Sequence, residues 1–174
     1  MKNTVSRGLD LSDMHMDHCS AIMKEQFPEV DGLQRMSVFD SVGCQRIGTP
    51  EGKFVQILLV GCHWVTVSNI GCDDNCLLVY DSMYRKTPKM YRNKFLAQVA
   101  WLCHVPGPVL QLLWPDIQTQ KGNHDCGLFA IANAFALCCG QRPDRRICLG
   151  PGGNAATSGS LSKCREIVNV PSCG

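Results

Sequence analysis

A cysteine, a histidine, an aspartate and a glutamine stand in this chain in an order that suits acyl transfer through sulfur. In the C-terminal third the sequence runs Gln120-Lys-Gly-Asn-His-Asp125-Cys126-Gly127-Leu-Phe. Upstream lie His63-Trp64-Val-Thr-Val-Ser and Val79-Tyr80-Asp81-Ser82. Cys126 offers a thiol at the point where a polar loop passes into an apolar run. Backbone N–H groups and the dipole of a helix beginning there favour the thiolate. Gly127 leaves room for a substrate backbone to approach the sulfur. His63 opens an otherwise apolar segment, a place from which a ring can reach both thiol and substrate. Asp81 closes the next such segment and can orient the far nitrogen of His63. Asp73 and Asp74, in the turn between the two segments, are poorer partners, and Asp125 is expected to hold its loop or cap the helix. Gln120, ahead of the thiol, carries an amide that with the Cys126 N–H would form an oxyanion hole, and Gln118 is a weaker choice by position.

These residues need elements to hold them. Ser12 and Asp13 can cap a helix over 12–26, with Met16, Cys19, Ile22 and Met23 on one face and Pro28 to stop it. Residues 36–53 give no clear pattern. Three β-rich runs follow, Phe54–Val60, His63–Ile70 and Leu77–Tyr80, with short links that favour antiparallel neighbours for the last two. Residues 90–103 read as a helix with Phe95, Val99 and Leu102 on one face. Val109–Ile117 is a strand that Pro115 assigns to an edge. Residues 126–139 are apolar nearly all round and predict a buried central helix. Gly150–Ser160 is a flexible small-residue stretch, and a short helix is expected near 160–167. The pattern is α+β: a mixed or antiparallel sheet packed against the helix that carries Cys126.

With 174 residues, 45% hydrophobic and 18% charged, the chain is expected to fold as one domain over 1–174. A net charge of +2 gives no footing for nucleic-acid binding. No stretch approaches the roughly 18 uninterrupted apolar residues of a membrane span. Met1–Gly8 has no signal-peptide core, so an intracellular location, nucleus or cytoplasm, is expected. The 12 cysteines sit largely in apolar runs, as Cys103, Cys138 and Cys139 do, and are expected to be reduced. Cys72 and Cys76 are spaced for zinc, but no second pair follows at finger spacing.

The order His63-Trp64, Asp81, Gln120, Asp125-Cys126-Gly127 resembles the ubiquitin-like-protein-specific cysteine proteases, the family of the SUMO and NEDD8 deconjugating enzymes with adenovirus-type proteases as relatives. The similarity runs from about Leu11 to Gly140. The opening Leu11-Ser-Asp-Met-His-Met and Gln26-Phe-Pro-Glu-Val-Asp-Gly-Leu-Gln34 resemble a divergent, mobile-element-associated branch. The resemblance implies a papain-like fold, Cys126 as nucleophile, His63 as base, Asp81 as its partner and Gln120 as oxyanion residue. It implies Trp64 as one wall of a tunnel around a Gly-Gly tail. No cofactor is implied. The expected partner is a ubiquitin-like modifier or its conjugates, and the protein is expected to be a monomer.

Three departures stand out: Asp10 where the family often has a second tunnel tryptophan, a Gly-rich segment after Gly140 over the divergent 141–174, and a short chain. They keep two alternatives open. One is a weak or inactive ubiquitin-like-binding module, the other a viral- or transposon-type protease with unrelated substrates.

Overall fold

The computed structural model describes residues 10–35, 52–72, 76–83, 95–99, 102, 109–144 and 164–169. Its centre is a mixed sheet of six strands in chain order: β1 (Asp31–Gly32), β2 (Phe54–Val60), β3 (His63–Ser68), β4 (Cys76–Tyr80), β5 (Val109–Trp114) and β6 (Cys164–Asn169). Strands β2, β3 and β4 form an antiparallel meander, in which Leu59 faces Trp64 and Thr66 faces Tyr80. Strand β1 lies parallel to β2, and β4 parallel to β5. A parallel pair needs a crossover, and the one between β4 and β5 includes helical residues 95–99 and 102. Phe95, Val99 and Leu102 turn into the core from there, and the Phe95 ring lies 6.2 Å from that of Trp114. Two helices complete the description, α1 (Asp13–Gln26) and α2 (Cys126–Cys138). The α+β expectation holds.

The meander strands are buried along nearly their whole length, which explains their continuous apolar runs: a sheet covered on both faces has no solvent side to alternate with. Helix α2 packs mainly on β3 and β2. Thr66 Oγ1, fully buried on β3, donates to the Ala130 carbonyl of α2 at 2.8 Å. This bond ties the strand that begins with His63 to the helix that begins with Cys126. Thr66→Val keeps the shape and removes the donor. It should lower stability by about 1 kcal/mol in urea unfolding, and an unchanged midpoint would show that the tie carries no net stability.

Several expectations need correction. Strand β5 ends at Trp114, one residue before Pro115, and pairs with β4 on one side and β6 on the other, so it is interior rather than an edge. Pro115 lies past the last ladder position and removes no bond from it. The segment expected to be helical near 160–167 contributes a strand instead, Cys164–Asn169. There the β-branched Ile167 and Val168, paired with Gln111 and Leu110 respectively, outweigh local helical preference. Helix α2 is not buried all round: Ala130, Asn133, Ala134 and Leu137 face the interior, while Phe135 is 47% exposed beside Phe27. In α1 the buried face is Met16, Ser20 and Met23, with Ile22 outside. Its start matches expectation, with Ser12 as N-cap and its carbonyl accepting from the N–H groups of His15 and Met16. Gly150–Ser160 and most of 36–53 lie outside the described residues.

Candidate active site

Strand β3 begins at His63 after a tight turn through Gly61, where φ is +68°. Its antiparallel neighbour β4 ends at Tyr80, which carries Asp81 to the same end of the sheet. There His63 Nε2–H donates to Asp81 Oδ1 at 2.6 Å, both residues being buried. The same oxygen accepts the Met83 N–H at 2.7 Å, which fixes the carboxylate from its other side. The remaining ring nitrogen, Nδ1, is the atom left for Cys126, at the first turn of α2. Nδ1 is buried without a conventional hydrogen-bond partner, so the ring and the sulfur meet as a loosely aligned pair that attack on a carbonyl can tighten.

The electrostatics follow from that arrangement. Burial alone would lower the pKa of His63. The hydrogen bond and charge of Asp81, together with Cys126, outweigh it and raise the imidazole to about 9. Burial alone would raise the Cys126 thiol. His63 and the backbone N–H groups of Trp64 and Gly127 overcome it and hold the thiol below its ordinary value. Opposite shifts in neighbouring groups favour a thiolate–imidazolium pair near neutral pH. Cys126 is only 4% exposed, so the sulfur is reached along a restricted approach.

Gln120 lies in the loop between β5 and α2 and is also buried. Its backbone N–H donates to the Ser82 carbonyl at 3.2 Å. Its amide oxygen accepts from Ser82 Oγ at 2.7 Å, and its Nε2 donates to the Gly122 carbonyl at 2.7 Å. Trp64, placed beside the site by β3, is buried and donates its indole N–H to the Leu11 carbonyl at 3.2 Å. Leu11 also closes over the start of α2: a Cβ on Gly127 would stand 3.0 Å from Leu11 Cβ. Gly127 therefore makes room for the segment before α1, where the sequence suggested room for a substrate backbone. Asp10 Oδ1 lies in hydrogen-bond contact with His124 Nδ1 at 3.1 Å, with side chains 68% and 62% exposed. A polar clasp thus occupies the place for which the sequence resemblance suggested an aromatic wall. Asp125 serves as N-cap of α2, its carbonyl accepting the Phe129 N–H at 3.0 Å.

The structure brings His63 and Asp81 into contact, couples His63 to Cys126, and links Gln120 to the residue after Asp81. Four participants were not legible in the sequence: the backbone N–H groups of Trp64 and Met83, the Leu11 segment and the Ser82 hydroxyl. Ser82 left a trace as the residue beside Asp81, and Leu11 as the start of the resembling stretch. Cys72 Sγ is turned to the carbonyls of Asn69 and Cys76. Among the described residues no group of three or more His, Cys, Asp or Glu could hold a metal, and no helix is long and apolar enough to cross a membrane.

No protein-family model matches the chain, and no curated protein does. Solved structures do. The C-terminal Ulp1 protease domain in complex with Smt3, the yeast ortholog of SUMO, is 12% identical, with 81% of this chain and 71% of that one covered at a TM-score of 0.54. The SUMO protease Ulp1 with its catalytic cysteine oxidised to a sulfenic acid is likewise 12% identical, covering 81% and 72%, at a TM-score of 0.59. A sulfinic acid form of Ulp1 is 13% identical over 78% and 69%, at 0.55. This chain has the papain-like fold of the Ulp1 SUMO-protease domain.

Proposed function

We propose that the protein is a cysteine-type peptidase that hydrolyses the peptide or isopeptide bond after the C-terminal glycine of a ubiquitin-like modifier. The observation that carries this reading is the line Cys126–His63–Asp81, assembled on three separate elements with the thiol held low and the imidazole held high. The likeness of the fold to a SUMO protease supports the choice of substrate class.

In the first half-reaction the Cys126 thiolate attacks the glycine carbonyl and a carbon–sulfur bond forms. The oxyanion accepts hydrogen bonds from the Gln120 amide and the Cys126 N–H. As the carbon–nitrogen bond breaks, imidazolium His63 gives its proton to the leaving amine, leaving a thioester. In the second half, His63 takes a proton from water as the water attacks the thioester, and the thiolate departs. Asp81, bonded to Nε2, keeps Nδ1 aimed at the reacting atoms throughout. Trp64 flanks the approach to the sulfur.

The test is to incubate the protein with SUMO, NEDD8 and ubiquitin, each bearing a C-terminal thiol-reactive group. A covalent adduct that forms with at least one of them and disappears in Cys126→Ala is the expected result. Absence of any adduct from a protein with a native fold would refute the proposal.

A second reading, a peptidase for proteins without a Gly-Gly tail, draws on the exposed Asp10–His124 pair. A polar pair there does not enforce glycine as two aromatic walls would. Cleavage of short diglycine peptides with no preference for a folded modifier would favour it.

A further inference from the structure

We propose that Ser82 is a positioning residue for the oxyanion donor: its hydroxyl locks the Gln120 amide so that one N–H stays aimed at the reacting carbonyl. The inference rests on the reading of Gln120 given above. A primary amide has two N–H donors and one oxygen acceptor, and its two faces differ only by a half-turn. Here the half-turn is forbidden. The Gly122 carbonyl, 2.7 Å from Nε2, would meet the amide oxygen if the group flipped, setting acceptor against acceptor. Ser82 Oγ, 2.7 Å from Oε1, completes the lock by donating to that oxygen. Together the two bonds use the oxygen and one N–H, and the second N–H is left for the oxyanion.

Ser82 does more than hold a rotamer. A hydroxyl that donates to an amide oxygen draws electron density from the nitrogen, which makes the remaining N–H a stronger donor. Ser82 also accepts the Gln120 backbone N–H, so it grips this residue at both ends. It is itself buried and follows Asp81 directly. The run Asp81-Ser82-Met83 is thus a common frame: Asp81 orients the base, Met83 N–H steadies Asp81, and Ser82 orients the amide. Base and oxyanion donor are set by one short piece of chain.

The test compares two reactions of the same sulfur. Acylation by p-nitrophenyl acetate needs the oxyanion hole: the sulfur–carbon bond forms, the ester carbon–oxygen bond breaks, and nitrophenolate leaves. Alkylation by iodoacetamide needs only the thiolate. In both, the rate counted is the part lost in Cys126→Ala. Gln120→Ala should cut acylation about 100-fold and Ser82→Ala about tenfold, with alkylation unchanged in each. In the double variant Ser82→Ala should add nothing, because its effect runs through the amide.

Acylation unchanged in Ser82→Ala would overturn the proposal. So would equal losses of acylation and alkylation, or the same loss with and without Gln120, since either would mark a merely structural role. Neither reagent contains a modifier. A wild-type protein that ignores every ubiquitin-like protein yet shows the expected acylation pattern would sink the substrate reading and leave this inference standing.

Discussion

His63→Ala is expected to reduce peptide hydrolysis by about 10³- to 10⁴-fold and to change how Cys126 titrates. In the native site the imidazole keeps its proton up to about 9, while the thiol loses its proton below the usual range. The pair titrates as a unit. Hydrolysis should therefore rise with pH as the thiolate forms, then fall as the pH passes about 9 and the leaving amine loses its proton donor. Alkylation, which needs only the thiolate, should rise and stay high. With His63 removed, burial still raises the thiol, and only the N–H groups of Trp64 and Gly127 oppose it. Alkylation near pH 7 should then fall about 10- to 100-fold and recover in alkaline solution. An alkylation profile unmoved by His63→Ala would show that the two side chains do not form the pair. Asp81→Asn should act in the same direction and less strongly, since an asparagine oxygen can still accept from Nε2 but carries no charge.

Gly32→Ala is the substitution expected to cost the most stability. Gly32 sits at φ +86°, in the left-handed region, and an added Cβ would lie 2.2 Å from the Val55 carbonyl oxygen. That carbonyl already accepts the Leu33 N–H at 2.8 Å in the pairing beside β1 and β2. No rotation can relieve the overlap, because the Cβ position is fixed by the backbone and its partner is a backbone oxygen. Strand β1 must move away from β2, with a loss of about 3 kcal/mol from strain and broken pairing. Urea unfolding measures the loss directly. A midpoint equal to wild type would mean that β1 contributes nothing to the sheet. The pH profile of Cys126 alkylation in the folded fraction should remain unchanged, since β1 is at the far edge of the sheet from β4 and Asp81.

What the sequence made legible was the part written in short-range patterns. The β-rich runs read at 54–60, 63–70 and 77–80 and the apolar run after Asp125 match the elements observed to within a residue or two. The order of His63, Asp81 and Cys126 pointed to a site because two short-linked strands bring their ends together. What was hidden depends on contacts far along the chain. Pro115 misled because its position relative to the last ladder pair was unknown until β6 was placed. Cys164–Asn169 carries a weak local signal and takes its form from β5. Ile22 and Cys19 were assigned to the buried face of α1, but the packing selects Met16, Ser20 and Met23. The orientation of Gln120 is partly a tertiary matter, fixed by a carbonyl two residues along its own loop and by the Ser82 hydroxyl 38 residues away.

The position of β6 has a consequence for solubility. Val109-Leu-Gln-Leu-Leu-Trp114 is a stretch that, left with a free edge, would recruit other chains through its open backbone groups. Strand β6 covers that edge and, among the described residues, becomes the outermost strand itself. It brings Arg165 and Glu166 to the margin, pairing them with Leu113 and Leu112. A divergent segment thus keeps the open edge of β5 out of reach of other chains.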